Sequence, residues 1–384
     1  MPDRANIAGF CDPRFEAVRE AFRSHFLPEA PFRELGASVS VYVRGSCVVR
    51  LHGGHADAAR TRSWTDHTLA NLWSASKGVM ALAIAQLVDI GKLDYDSPVA
   101  DYWPQFAQRG KDRITIAQVV SHQAGLNGFT EPTTPDDLLD WDLITARLAR
   151  QAPLWEPGAY ASYHGMTFGW LTGELLRRAS GLEMRDYIRS RIAEPLGADL
   201  WVGVPEDRDG DVAEIVPPEP GRAPAPPLND IARWCTVNPV PDASAANRRE
   251  WRSAQIPAVN LHANAEGLAR VYAAIANGGS LDGASIISRR GIEALRRLRS
   301  TGPDQMLGER HWASGVALNT TFMYGPDPAT FGHSGWGGSF GCANVSSGIA
   351  VGYVVNRMGS PLNGDSRALA IANAAFGAAG CPPT

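Results

Sequence analysis

One stretch constrains this chain more than any other. Leu72-Trp73-Ser74-Ala75-Ser76-Lys77-Gly78 opens a long apolar run, Val79-Met80-Ala81-Leu82-Ala83-Ile84-Ala85-Gln86-Leu87-Val88. Such a run reads as a buried helix. Its start spells Ser74-x-x-Lys77. Residues three apart share a helical face, so the Lys77 amine can reach the Ser74 hydroxyl. Ser74 falls at the helix N-terminus, where free N–H groups and the dipole favour developing negative charge. A serine hydroxyl attacks only when a base takes its proton. A lysine is that base only when burial or nearby positive charge makes it neutral.

Composition gives the pair weight. Lys77, Lys92 and Lys111 are the only lysines; every other basic side chain of this kind is arginine, which stays protonated and cannot act as a base. With serine at roughly 7% of residues, chance supplies only about 0.2 Ser-x-x-Lys matches.

The whole chain excludes several classes. At 384 residues it is long enough for one large or two interleaved domains. A net charge of -4 and the absence of a basic run argue against a nucleic acid or an anionic membrane surface as partner. No uninterrupted apolar segment has the length of a membrane span. The start, Met1-Pro2-Asp3-Arg4-Ala5-Asn6, lacks the apolar region of a secretory signal. The five cysteines, Cys11, Cys47, Cys235, Cys342 and Cys381, are odd in number and without paired spacing. Reduced thiols and a cytoplasmic location are therefore expected. No Cys/His cluster has zinc-like spacing, so neither a metal nor a cofactor is expected.

Along the chain, Asp12-Pro13 starts a helix carrying Phe15, Val18, Phe22 and Phe26 at helical spacing. Ser38–Val43 alternates like a strand, Arg44-Gly45-Ser46 turns, and Cys47–Leu51 reads as the hairpin partner. Helices are expected over Ile114–His122, Leu138–Arg150, Phe168–Leu176, Met184–Ile192, Asn264–Ala276, Ser288–Arg299 and Leu369–Phe376. Gly348–Asn356 reads as a buried strand. The proline-rich stretch 216–228 suits neither helix nor sheet and reads as a surface loop or the edge of a cleft. Strands at both ends and helices between them point to an α/β (α+β) chain with one sheet assembled from both ends. The expected division is residues 1–80 and 285–384 for the sheet domain, 81–284 for an inserted helical domain, and an active site where they meet.

A second serine competes for the nucleophile's role. Gly337-Gly338-Ser339-Phe340-Gly341 matches Gly-x-Ser-x-Gly, but that motif needs a strand before the serine and a helix directly after it. Here glycine precedes it and another strand follows a short turn, a hairpin context. Ser74 is the expected nucleophile.

Four elements now stand in order: Ser74-x-x-Lys77; Ser121-His122-Gln123-Ala124-Gly125-Leu126; Pro157-Gly158 with Tyr163 six residues past the proline; and His333-Ser334-Gly335. Over nearly the whole chain this order resembles the serine β-lactamase/penicillin-binding protein superfamily. Within it the sequence is most like the family VIII carboxylesterases, relatives of class C β-lactamases. The resemblance implies a mainly antiparallel sheet flanked by helices, with an all-helical region inserted. It implies Ser74 as acylated nucleophile, with Lys77 and Tyr163 sharing the proton. Where the family has Tyr-x-Asn this chain has Tyr163-His164-Gly165, and where it has Lys-Thr-Gly this chain has His333-Ser334-Gly335. The first change removes an amide that holds β-lactam side chains; the second replaces a fixed cation by a histidine. Both point from acidic β-lactams toward neutral esters.

The expected reaction is hydrolysis of short-chain carboxylic esters, a small-molecule substrate, through a serine acyl-enzyme. The backbone N–H groups of Ser74 and Trp336 are the expected oxyanion donors. His333, Ser334, Gly335 and His164 complete the expected substrate-binding set, with His164 open to a pocket or a packing role. Trp336 either closes the acyl pocket with its ring or fills space. His122 and Gln123 are expected to cap or pack, and Trp73 to point into the core. The alternatives within the superfamily are a β-lactamase, a D-amino-acid peptidase or amidase, and an acyltransferase; outside catalysis, a penicillin-binding-like scaffold. The sequence sets no oligomeric state.

Overall fold

The two ends of the chain meet in one sheet. In the computed structural model, which describes residues 6–219, 229–362 and 364–380, the N-terminal part supplies strands β1 (Ile7–Cys11), β2 (Gly36–Val43) and β3 (Ser46–Gly54). Strands β4 (Ala70–Asn71), β5 (Leu200–Val202) and β6 (Leu261–Ala263) form a small second sheet, and β7 (Ser280–Leu281) pairs with β8 (Ala284–Ser285). The C-terminal part adds β9 (Ala317–Leu318), β10 (Phe331–Ser334), β11 (Phe340–Asn344) and β12 (Ile349–Val355). The large sheet has the order β1-β3-β2-β12-β11-β10-β9 and is antiparallel at every pairing. The alternating stretch and the buried run read from the sequence become β2 and β12, joined in a register that sets Val41 opposite Val351. Between β2 and β3, Arg44 and Gly45 both have positive φ, 48° and 80°, the two-residue turn whose twist suits a hairpin.

The alternation along β2 separates two packing layers. Val39 and Val41 face a cluster with Phe15, Val18, Phe22 and Phe26 and with Ile371, Ala372 and Phe376 of the helix Ser366–Ala378. On the opposite face Ser40 stands in register with Gly352, and Gly352 with Gly341. That row of small residues admits the helix Ala265–Ala276: a Cβ on Gly352 would stand 2.5 Å from the Ala265 carbonyl, and one on Gly341 2.2 Å from the Tyr272 ring. This helix, which precedes the expected boundary at 285, thus lies on the sheet.

The long apolar run forms the helix Ser76–Asp89, with twelve of its fourteen residues buried. It has no solvent face, so its stability comes from neighbours rather than from amphipathicity. It packs against the helices Thr167–Ser180 and Arg289–Arg296. The surrounding helices carry the caps their sequences imply. Thr115 and Gln118 make a reciprocal capping box, Asp140 and Asn264 cap with their side chains, and Gly181 ends Thr167–Ser180 in the left-handed region. The expected helix over Met184–Ile192 divides into an α segment, Met184–Ile188, and a π turn, Arg189–Ala193.

β1 was not anticipated. Its residues are mostly exposed, as befits a sheet edge, and carry no apolar alternation to read. Of the proline-rich stretch, Val216 pairs with Arg357 beyond β12, and residues 220–228 lie outside the described residues. Among the described residues no helix is long and apolar enough to cross a membrane.

Candidate active site

The Ser74 turn is fastened before it becomes a helix. Trp73–Ala75 forms one 3₁₀ turn and Ser76 continues it as α-helix. The Leu72 N–H donates to the Leu261 carbonyl at 2.9 Å, and the Leu261 N–H donates to the Ser76 hydroxyl at 3.2 Å, tying the turn to β6. Trp73 takes a left-handed backbone, φ 48°, a strained state for a large side chain that packing must hold. Its ring lies 5.7 Å from that of Trp251 and 5.3 Å from that of Trp336. Trp73 therefore lines the cavity beside Ser74 as well as being buried, where the sequence reading had placed it in the core alone.

Lys77 is fully buried. Its Nζ lies 3.0 Å from the Ser74 hydroxyl, 2.6 Å from the Gly165 carbonyl and 3.2 Å from the Ala258 carbonyl. As an ammonium Lys77 donates to all three neighbours; as a neutral amine it donates to the two carbonyls and turns its lone pair to the Ser74 hydroxyl, the form a base requires. Desolvation brings Lys77 down to about 7, so near neutrality a large share of it is unprotonated.

Tyr163 completes the group. Burial pushes its phenol well up, against a smaller opposing pull from its contact with the Ser74 hydroxyl. Lys77 Nζ also lies 4.9 Å from the centre of the Tyr163 ring. The resting state is therefore a protonated phenol beside an amine of lowered basicity. The Tyr163 ring stacks on Trp312 at 5.7 Å and meets His122 at 5.0 Å. Asp304 accepts the Tyr163 N–H at 3.2 Å and the Trp312 indole N–H at 3.0 Å, fixing ring and backbone together.

Gly335 is placed at the nucleophile by having no side chain: a Cβ there would stand 2.2 Å from the Leu72 carbonyl. Trp336 follows, its N–H without an acceptor among the described residues. Ser74 N–H belongs to a first turn, where helical donors lack intrahelical partners.

Three residues of the expected binding set are not among the described lining of the cleft. His164 is fully buried with both ring nitrogens engaged, Nδ1 with the Ser162 carbonyl at 2.8 Å and Nε2 accepting the Leu126 N–H at 3.2 Å. It braces the segment before Tyr163 rather than lining a pocket. His333 lies behind the Tyr163 ring, 6.2 Å between centres, and its Nδ1 meets the Ser334 carbonyl at 2.9 Å. Burial brings it down to about 3 and His164 down to about 4, so both stay neutral. Ser334 points to the other face of β10, its hydroxyl toward Met323 Sδ and the Tyr324 hydroxyl. Ser339 is sealed in the hairpin, its hydroxyl accepting the Val355 N–H at 3.1 Å.

A cleft enclosing about 770 Å³, mouth included, opens over Ser74 and Tyr163. Its walls include Trp73, Trp251, Trp336, Met166, Val259 and Leu362, and among the described residues no lysine, arginine or histidine lines it. Asp242 is the one carboxylate among the described lining residues.

The family profile for Beta-lactamase matches residues 29–376. The chain belongs to the β-lactamase family. Among β-lactamase-family proteins it is 39% identical over 379 residues to "Esterase/beta-lactamase LipL" of Mycobacterium tuberculosis, a match covering 93% of this chain and 84% of that protein. The crystal structure of a family VIII carboxylesterase superposes with a TM-score of 0.92 at 40% identity, over 97% of this chain and 100% of that one. A penicillin-binding protein homologue from Caulobacter crescentus gives a TM-score of 0.91 at 42% identity with the same coverage. Sequence reasoning alone did not find four neighbours of this β-lactamase-family site: Asp304, Trp312, Trp251 and Cys235. None sits in a motif. Cys235 comes nearest to a signal, because Gly165 leaves room that some other side chain must fill.

Proposed function

We propose that this β-lactamase-family chain is a serine carboxylesterase acting on neutral esters with apolar substituents. The observation that carries the reading is the buried Lys77 amine, 3.0 Å from Ser74 and lowered to about 7, behind an apolar cleft whose described lining residues include no cation.

In the proposed reaction Ser74 Oγ attacks the ester carbonyl and its proton passes to the Lys77 lone pair. The negative oxygen is received by the N–H groups of Ser74 and Trp336. Tyr163 gives its phenolic proton to the departing alkoxide and is reprotonated from the Lys77 ammonium. The alcohol leaves and the acyl group remains on Ser74. Water then attacks the acyl carbonyl, the same groups receive and return its proton, and the acid departs. No metal or cofactor enters any step.

Two features support esters over β-lactams. The amide-bearing position after Tyr163 is glycine, and its space is taken by the Cys235 thiol. The described lining of the cleft offers an anionic substrate no positive partner and one carboxylate. Free thiols at Cys11, Cys47, Cys235 and Cys342 support a cytoplasmic setting. The test is hydrolysis of short p-nitrophenyl esters by the native chain and by Ser74→Ala, with labelling by a fluorophosphonate. Loss of both in the variant is expected; retained turnover would remove Ser74 from the reaction. Faster turnover of a chromogenic cephalosporin than of the esters would move the chain to the β-lactamase reading.

A further inference from the structure

Arg367 is buried almost completely, although it begins a helix on the far side of β12. Its guanidinium is held by two carboxylates, Glu34 at 2.9 Å and Asp365 at 2.6 Å. Glu34 also accepts the Tyr353 hydroxyl, and Asp365 accepts the Arg367 N–H as cap of the helix Ser366–Ala378. The remaining donors go to main chain: Nη1 to the Arg357 carbonyl at 3.1 Å and Nη2 to the Gly337 carbonyl at 2.6 Å.

The last contact reaches the active site. Gly337 follows Trp336, the residue whose N–H is read above as an oxyanion donor. Gly337 and Gly338 both have positive φ, 94° and 122°, so the turn has no side chains to stiffen it and the freest backbone of any residue. An oxyanion donor works only when it is preorganised. At one end the Gly335 N–H donates to the Ser339 carbonyl at 2.7 Å. At the other, the Gly337 carbonyl receives Arg367 Nη2 and the Gly359 N–H, the latter at 2.9 Å. The guanidinium also fills the space beside the turn, since a Cβ on Gly338 would stand 2.7 Å from Nη2.

We propose that Arg367, itself held by Glu34 and Asp365, is a positioning residue that fixes the Trp336–Gly338 turn and so aims the Trp336 N–H at the developing oxyanion. The proposal rests on the oxyanion reading of Trp336 given under the proposed function. Its fork supplies parallel donors from one rigid plane, which an ammonium does not.

The test compares an ester with the thionoester in which sulfur replaces the carbonyl oxygen. N–H donors stabilise a negative oxygen far better than a negative sulfur, so the wild type should favour the oxo ester. In Arg367→Met, kcat on the oxo ester should fall about 10²-fold, the loss typical of one oxyanion donor, with KM little changed. The thionoester rate should fall much less, so that the oxo preference collapses. Arg367→Lys, which keeps the charge between the two carboxylates, is measured beside it and should show the same collapse; it decides the matter if the methionine variant does not fold. Equal losses on both substrates would mean a merely structural role and overturn the proposal, as would an unchanged ratio. A wild type with no preference for the oxo ester would overturn the oxyanion reading itself, and the proposal with it.

Discussion

The thiol of Cys235 stands where a side chain at Gly165 would begin: a Cβ on Gly165 would lie 2.5 Å from Cys235 Sγ. The two positions are 70 residues apart in sequence, yet they divide one volume at the cleft wall, with the Gly165 carbonyl on the other side accepting Lys77.

Gly165→Asn alone should therefore overpack the wall and cost about 1–3 kcal/mol, read as a lower denaturant midpoint. Cys235→Gly in the same chain should restore most of that stability, making the pair strongly non-additive. The double variant should also turn over a chromogenic cephalosporin faster, relative to p-nitrophenyl esters, than the native chain does.

Lys77 acts as a base only while neutral. Below its folded value of about 7 it becomes an ammonium and loses the lone pair that faces Ser74. The kcat/KM profile on a neutral ester should rise with pH to a plateau above about 7, falling about tenfold per unit on the acid side. Lys77→Arg should abolish the activity rather than shift the limb, because arginine does not deprotonate.

His164 and His333 are already neutral throughout that range, held down to about 4 and about 3 by burial. His164→Phe should leave the Leu126 N–H and the Ser162 carbonyl without their partner, at about 1–3 kcal/mol for each buried group. Thermal unfolding should show the loss. The midpoint of the pH–rate limb in the folded variant should not move.

Ser339 gives a contrast with Ser74. Ser339→Ala removes the acceptor of the buried Val355 N–H, again about 1–3 kcal/mol of stability, and should leave ester turnover within about twofold of native once the protein is folded. Fluorophosphonate labelling of this variant should equal that of the native chain.

What was legible in the sequence follows from range. Ser74 and Lys77 share a helical turn, so their 3.0 Å approach is local geometry. The alternation of β2 and the buried run of β12 are periodic signals that a sheet layer must produce. The sequence leaves His164 open between pocket and packing, because a buried ring takes its role from partners that only the fold supplies: Leu126 and Ser162 for His164, Tyr163 and Trp312 for His333. Asp304 and Trp312 were invisible for the same reason, being single residues in irregular chain that matter only through Tyr163. The exposed residues of β1 carried no pattern at all.

The wall chemistry of the cleft also bears on how a catalytic cycle ends. An ester arrives without charge and is at home among tryptophans, but the acid it yields ionises at once near neutral pH. Once that newborn anion leaves Ser74 and its Lys77 neighbour, the described lining of the cleft holds no cation for it, while Asp242 repels it. Release is downhill, re-entry is opposed, and accumulated acid should be a poor competitor for fresh ester.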